Sequence, residues 1–254
     1  MPLSLADWLV RIQQQHPQAI AMGLERVRTV AQALGLAPKP APCVITVGGT
    51  NGKGSTVAFL EAIARAAGLR VGTYTSPHLW RFNERIRIDG TEAADDAIVG
   101  AFERIDAARG DTPITYFEYA TLAAFDLFER AGLDLAILEV GLGGRLDATN
   151  LVDADVAVIT TVDLDHMDYL GPDRESIGAE KAGILRAGKI AVFGEKDPPS
   201  SVLRRAYALG TIAIRGHSDY LVDRLEDHWV WREPGFQLAL PYPSLAAPVQ
   251  VDNA

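Results

Sequence analysis

The chain has 254 residues, 48% hydrophobic and 22% charged, with a formal net charge of −9. That is enough for a sizeable core and too acidic for the basic face a nucleic-acid binder shows; an anionic substrate would need a local positive site. The single cysteine, Cys43, excludes an intramolecular disulfide, suits a reducing cytosol, and reads as a strand thiol because it lies in an apolar run. No apolar run approaches the roughly 18 residues that suggest a membrane span. The N-terminus, without a basic segment before a long apolar core, reads as an amphipathic helix rather than a signal peptide.

In chain order, residues 4–15 and 23–35 have helical spacing, the second closing at Gly35. Pro38, Pro40 and Pro42 then interrupt the chain. CVITVG (43–48) is a short strand, GTNGKGS a glycine-rich turn, residues 55–67 a helix stopped by Gly68, and 70–76 another strand. The polar and aromatic stretch 76–90 reads as a loop. Helices are predicted at 95–108 and 116–131, and buried strands at 133–141 and 155–163. A helix over 173–187, a strand at 189–194, a helix at 199–209 and a strand at 211–215 complete the series. Continuously apolar strands alternating with helices imply an α/β fold, a mostly parallel sheet with helices on both faces. The alternating, tryptophan-bearing segment 219–240 predicts a small antiparallel addition. The chain stops at PVQVDNA without a C-cap or polar tail and reads as interrupted.

A strand, a glycine loop and a helix in that order form a phosphate cradle. Gly48, Gly49, Gly52 and Gly54 allow close backbone approach, so that the amides of Thr50, Asn51 and their neighbours can face phosphate oxygens. The following helix contributes its positive end, and Lys53 a full charge. The loop departs from the G-x-x-x-x-G-K-[ST] pattern: Gly54 stands where Ser or Thr would follow the lysine, and Ser55 comes one place later.

GTNGKGS, YTSPHLWRFNERI, TYFEYAT, LEVGLGGRLDATN, DHMDYLGPDRESI and EKAGI occur in this order from about Leu24 onward. Together they resemble the folylpolyglutamate synthase family, the bacterial bifunctional dihydrofolate synthase/folylpolyglutamate synthase type, grouped with the Mur ligases. The resemblance implies a P-loop NTPase-like fold of the Mur ligase central-domain type. It implies an ATP-dependent ligase that phosphorylates a pterin-linked carboxylate, which the amine of L-glutamate then attacks. Substrates would be ATP, dihydropteroate, reduced folates and L-glutamate, with Mg²⁺ at two sites, in a cytoplasmic monomer without nucleic-acid or membrane partners. Residues 1–254 would be the N-terminal ATPase and folate-binding domain, with the glutamate-binding C-terminal domain outside them.

By the same resemblance, Gly49, Thr50, Asn51, Gly52, Lys53, Gly54 and Ser55 hold ATP, and Asn253, near Gln250, contacts its purine. Ser76, Glu139 and His166 are metal ligands, joined by Lys181 if carbamylated; Lys53, Glu139, His166 and Lys181 form the catalytic set. Pattern alone favours Ser55 over Ser76 for the nucleotide-bound Mg²⁺, and the resemblance favours Ser76. Glu139, ending an apolar strand, is a costly place for a carboxylate unless it meets a cation. Thr115, Tyr116, Phe117 and Glu118 could stack a pterin and accept its N–H groups. Arg145 is offered for an anionic group of the folate substrate, and the resemblance places Leu146, Asp147 and Ala148 against dihydropteroate, with Gly23 and Leu24 nearby. Residues 76–86 are expected to move over the folate, or else Trp80 and Phe82 pin them to the core.

Two other readings stay open: a Mur-type ligase of cell-wall precursors, and an ATP- and pterin-binding fragment without turnover.

Overall fold

The computed structural model describes residues 3–16, 20–244 and 247–254. An eight-stranded sheet has the order β4-β3-β2-β5-β1-β6-β7-β8. Its strands are β1 Cys43–Gly48, β2 Val71–Tyr74, β3 Ile86–Ile88, β4 Thr91–Glu92, β5 Leu135–Glu139, β6 Val156–Ile159, β7 Ile190–Phe193 and β8 Ile212–Arg215. The six from β2 to β8 in that order are parallel; β3 and β4 add on antiparallel at one edge.

The helices are α1 Leu5–Gln15, α2 Glu25–Leu34, α3 Lys53–Ala66, α4 Asp95–Arg109, α5 Tyr116–Ala131, α6 Met167–Leu170, α7 Arg174–Lys181, α8 Ser200–Leu209 and α9 Gln250–Asn253. Strand alternation assigns them to faces. In β5, Leu135 and Ile137 pack with Val57 of α3, whereas Ala136 and Leu138 pack with the aromatic core of α1, α4 and α5 around Trp8, Phe102, Tyr119 and Phe128. A separate three-stranded antiparallel sheet consists of β9 Leu221–Arg224, β10 His228–Glu233 and β11 Phe236–Pro241. It is the addition expected from the alternating segment.

Three expectations are corrected. The stretch 76–90 is not all loop: it holds a 3-10 turn, Phe82–Arg85, and β3. The signal was Asp89-Gly90, which turns with φ of 49° and 78°, as a tight hairpin into β4 requires. The helix over 173–187 ends at Lys181 and becomes a 3-10 turn, Ala182–Ile184. Gly183 there lies so close to Arg145 that a Cβ would stand 2.4 Å from the arginine Cα. The first turn of α3 starts at Lys53 rather than residue 55, so the lysine belongs to the helix N-terminus.

The parallel strands are stapled near the start of β1. Asp155 accepts from both Lys39 Nζ (2.7 Å) and Lys189 Nζ (3.0 Å), and from the Val44 N–H. Against the cost of burial, the hydrogen bonds from the two lysines hold its carboxyl at about 2. A carboxylate with a depressed pKa stabilises the fold above its unfolded value and loses this effect as pH falls through the folded one. Asp155→Asn is therefore expected to destabilise by about 1 kcal/mol at pH 7, given partial solvent screening. Urea melts should show the gap between the two proteins closing as pH falls from about 4 toward 2.

Candidate active site

The loops that leave the carboxyl ends of β1, β2, β5, β6 and β7 converge at one edge of the sheet. The strand order departs from β1 in both directions, and such a switch point is where open α/β sheets leave a crevice.

The loop after β1 is held in shape by the loop after β6. Thr50 N–H donates to Thr161 O (2.8 Å), and Asn51 N–H to Thr161 Oγ1 (3.0 Å). Thr160 Oγ1 donates to Asn51 O (2.6 Å), and Thr50 Oγ1 to Asp163 O (3.2 Å). Gly49 has φ of 149°, and a Cβ on it would stand 1.9 Å from Thr160 Oγ1, so glycine is required twice over. Gly52 has φ of 84°, and its open side is closed by Asn253, whose Oδ1 would meet a Cβ at 2.3 Å. Asn253 is fixed there by its own carbonyl, which accepts from Thr56 Oγ1. Lys53 Nζ donates to Gly49 O (3.0 Å) and Thr50 O (3.1 Å), curling over the loop.

Beside this cradle lies a cavity of about 380 Å³ lined by Gly49, Lys53, Ser76, Arg85, Asp165, His166 and Lys181 on one side. Gly23, Thr115, Phe117, Glu118, Leu146, Asp147 and Ala148 line the other. Glu139 sits behind this lining, bonded to one of its members, Ser76. It is 4% exposed, its Oε2 accepts the Ser76 N–H (3.0 Å), and both carboxylate oxygens lie 3.8 Å from where a Gly54 Cβ would be. An added Cβ there would make only ordinary van der Waals contact, so Gly54 leaves open space toward this carboxylate without being sterically required. Burial pushes the Glu139 carboxyl up, opposed by the Ser76 N–H and the charges of Lys53 and Arg85.

Lys181, 4% exposed at the end of α7, is pulled down to about 8. Burial is the main cause and the charge of Lys53 adds to it, while Asp165 opposes both. His166 has a left-handed backbone (φ 47°) and projects at the mouth, with Nε2 3.7 Å from Asp165.

Several expected residues have other employment. Asp147 is buried and accepts from the N–H groups of Gly141 (3.0 Å), Leu142 (2.9 Å) and Thr149 (2.9 Å) and from the Thr149 hydroxyl. It builds the wall formed by 140–148. Asp147→Ala would leave those amides unpaired in the interior and is expected to cost about 3 kcal/mol or more, read as a loss of Tm. Glu118 caps α5 through the Thr115 N–H (2.7 Å) and accepts Arg26 Nη2 (3.1 Å), so both oxygens are engaged. Tyr116 is not part of the lining: it packs edge-on against Phe82 under the Arg85 guanidinium. Arg145 turns outward to Glu180 (2.9 Å), and Leu24 packs into the helical core. Ser55 lies in the first turn of α3, outside the lining. Phe82 pins its segment at 3% exposure, whereas Trp80 is 92% exposed.

Arg85, Asp165 and Arg26 went unnoticed in the sequence. Arg85 is the buried cation the cavity needs, steadied by donating from Nε to His78 Nδ1 (2.8 Å). Its place at the junction of a 3-10 turn and β3 leaves no mark in the sequence.

Among the described residues, no three His, Cys, Asp or Glu side chains converge as a ready metal-ligand set. Glu139 and His166 supply two such donors, and Ser76 a hydroxyl.

The Mur ligase middle domain matches residues 47–218, a span that contains the glycine loop, Glu139, His166 and Lys181. The chain belongs to the Mur ligase family. The dihydrofolate synthase/folylpolyglutamate synthase of Escherichia coli K12 is 51% identical over 245 residues, which is 96% of this chain and 58% of that protein. The folylpolyglutamate synthase of Lacticaseibacillus casei is 37% identical over 212 residues, 80% of this chain and 49% of its own length. The chain thus spans about half the length of these relatives. The structure of E. coli FolC with DHPP and ADP superimposes with a TM-score of 0.95 at 49% identity, covering 99% of this chain and 60% of that one. A bifunctional folylpolyglutamate synthase/dihydrofolate synthase solved with Mn, AMPPNP and L-glutamate gives 0.90 at 50% identity, covering 99% and 60%. The fold expected from the strand–helix series is that of this family. No helix among the described residues is long and apolar enough to cross a membrane.

Proposed function

We propose that this Mur ligase family member acts as an ATP-dependent carboxylate–amine ligase of folate biosynthesis. It would join L-glutamate to dihydropteroate and to the γ-carboxyl of reduced folates. Residues 1–254 would be the ATPase and folate-binding domain. The observation that carries this is the meeting, in the lining of one cavity, of Gly49 and Lys53 from the glycine loop with Gly23, Phe117 and Ala148. The pterin-bound relative at 49% identity supports the same reading.

ATP is held by residues 49–55, with Lys53 released from its carbonyls to face the terminal phosphates and Asn253 beside Gly52. Arg85 would draw the substrate carboxylate toward the cradle. The carboxylate oxygen attacks the γ-phosphoryl group, ADP leaves, and the acyl phosphate gains a leaving group that a bare carboxylate lacks. The glutamate amine then displaces phosphate and loses a proton. Alignment and charge neutralisation account for most of such a rate gain.

The residues fit Mg²⁺. Glu139 is a buried carboxylate bonded to the Ser76 N–H, with no ion-pair partner among the described residues, and oxygen donors suit this ion. When bound, the ion offsets charge developing on the phosphates. A second ion would use His166 and a carbamate on Lys181, in keeping with the scarcity of unmodified donors. Cys43 as sole cysteine suits the cytoplasm, and a site drawn from one chain suits a monomer.

The test runs glutamate ligation with dihydropteroate, tetrahydrofolate and a UDP-muramyl substrate in parallel, on a chain extended past Ala254. Phosphate release with the UDP substrate alone would overturn the folate reading in favour of a cell-wall ligase. Calorimetry on residues 1–254 is expected to show weak binding of Mg·ATP and little amide synthesis; full activity there would refute the fragment reading.

A further inference from the structure

We infer that Arg174 and Glu195 form a clamp that sets the conformation of the phosphate loop, acting as positioning residues for the nucleotide; this rests on the nucleotide reading above. The clamp grips one residue, Val162. Its N–H donates to Glu195 Oε1 (3.2 Å), and its carbonyl accepts from Arg174 Nε (2.8 Å). Arg174 Nη2 closes the ring on Glu195 Oε2 (2.9 Å) and also reaches Asp197 O (3.1 Å).

Val162 lies past the end of β6, where no neighbouring strand takes its backbone groups. Buried peptide groups need partners, and here an ion pair replaces the ladder. The grip matters because of what flanks it. Thr161 on one side receives the Thr50 and Asn51 N–H groups. Asp163 on the other exchanges two hydrogen bonds with the Thr50 hydroxyl. Fixing the peptide of residue 162 fixes both flanks, and these are the splint of the phosphate loop. The same run of chain continues to Asp165 and His166 at the cavity mouth. Arg174 opens α7, the helix that ends in Lys181, and Glu195 follows β7. The clamp therefore ties three elements of the site to one backbone unit. A core-packing role alone would not require charged groups on both sides of a single peptide.

The experiment compares wild type, Arg174→Ala, Glu195→Ala, Glu195→Gln and the Arg174/Glu195 double alanine variant. Readouts are amide hydrogen exchange at Thr50 and Asn51, Tm, and calorimetric affinities for Mg·ADP and for 7,8-dihydropteroate. The alanine variants should speed exchange at both amides and weaken Mg·ADP about 10–100-fold, while dihydropteroate affinity holds. Glu195→Gln keeps an acceptor for the Val162 N–H and should fall between. The double variant should be no worse than the weaker single, because the pair acts as a unit. Unchanged exchange at Thr50 and Asn51, or equal weakening of both ligands, overturns the clamp as a positioning device. A wild-type chain that binds no nucleotide overturns the proposed function and the nucleotide half of this inference, and exchange at the two amides still decides the clamp itself.

Discussion

In a chain extended past Ala254, Glu139→Gln is expected to lower ligase turnover about 10²–10³-fold and to raise the Mg²⁺ concentration needed for half-maximal rate, with little change in fold. The substitution keeps the shape and an acceptor for the Ser76 N–H. It removes only the charge, so the loss reports what that charge does for the cation. A stability test runs in the opposite direction. Burial raises the Glu139 carboxyl above its unfolded value, so the neutral form stabilises at low pH and that contribution is lost as pH rises through the folded pKa. Without metal, the glutamine variant should therefore melt higher than wild type at pH 7, and the two should converge below the unfolded value of 4.5. Added Mg²⁺ should raise the Tm of wild type and leave the variant where it was. Equal metal dependence in both proteins would remove Glu139 from the metal site.

The second large effect is expected at Lys181. Carbamylation needs the neutral amine: the nitrogen lone pair forms an N–C bond to CO₂ and a proton leaves. An ordinary lysine is almost wholly protonated at neutral pH, but burial and the charge of Lys53 bring Lys181 to about 8. The neutral fraction then rises steeply between about pH 6.5 and 8. Turnover should rise over that window, fall on removal of CO₂ at the lower pH, and return with bicarbonate at the higher one. Lys181→Ala should lose about 10²–10³-fold in rate and regain part of it with added acetate, a carboxylate small enough for the vacated space. Lys181→Arg should stay inactive, since arginine remains charged. A wild-type profile indifferent to bicarbonate would exclude the carbamate. Unmodified, this lysine also affects stability. The unfolded chain binds more protons between about 8 and the unfolded 10.5, so the fold gains stability as pH rises through that range.

The glycine loop, Lys53 and Glu139 were legible because each belongs to a local pattern: strand, turn and helix, or a charge ending an apolar run; Lys181 came only from the resemblance carried by EKAGI. Arg85, Asp165 and Arg26 were not. Nothing in RFNERI marks its second arginine as the buried one, and its place depends on Tyr116 and His78 from other segments. Tyr116 and Phe117 show the same limit from the other side. They are adjacent aromatics at a helix start, and only the angle at which α5 meets the sheet sends Phe117 to the cavity and Tyr116 to Phe82. Arg145 was read as an anion-binding group, and the partner that claims it, Glu180, lies 35 residues away.

The amino-acid order by itself determined the alternating α/β architecture, the antiparallel addition and the glycine turn between β1 and α3. All three follow from periodicity and from backbone freedom within a few residues. The tertiary structure decided which charges face one another. The carboxyl ends of β1, β2, β5, β6 and β7 are distant in the chain and adjacent only because of the strand order. That adjacency buries Glu139 and Lys181 near Lys53 and shifts both of their pKa values. A pKa depends on distance and burial, and neither is fixed until the sheet closes its order.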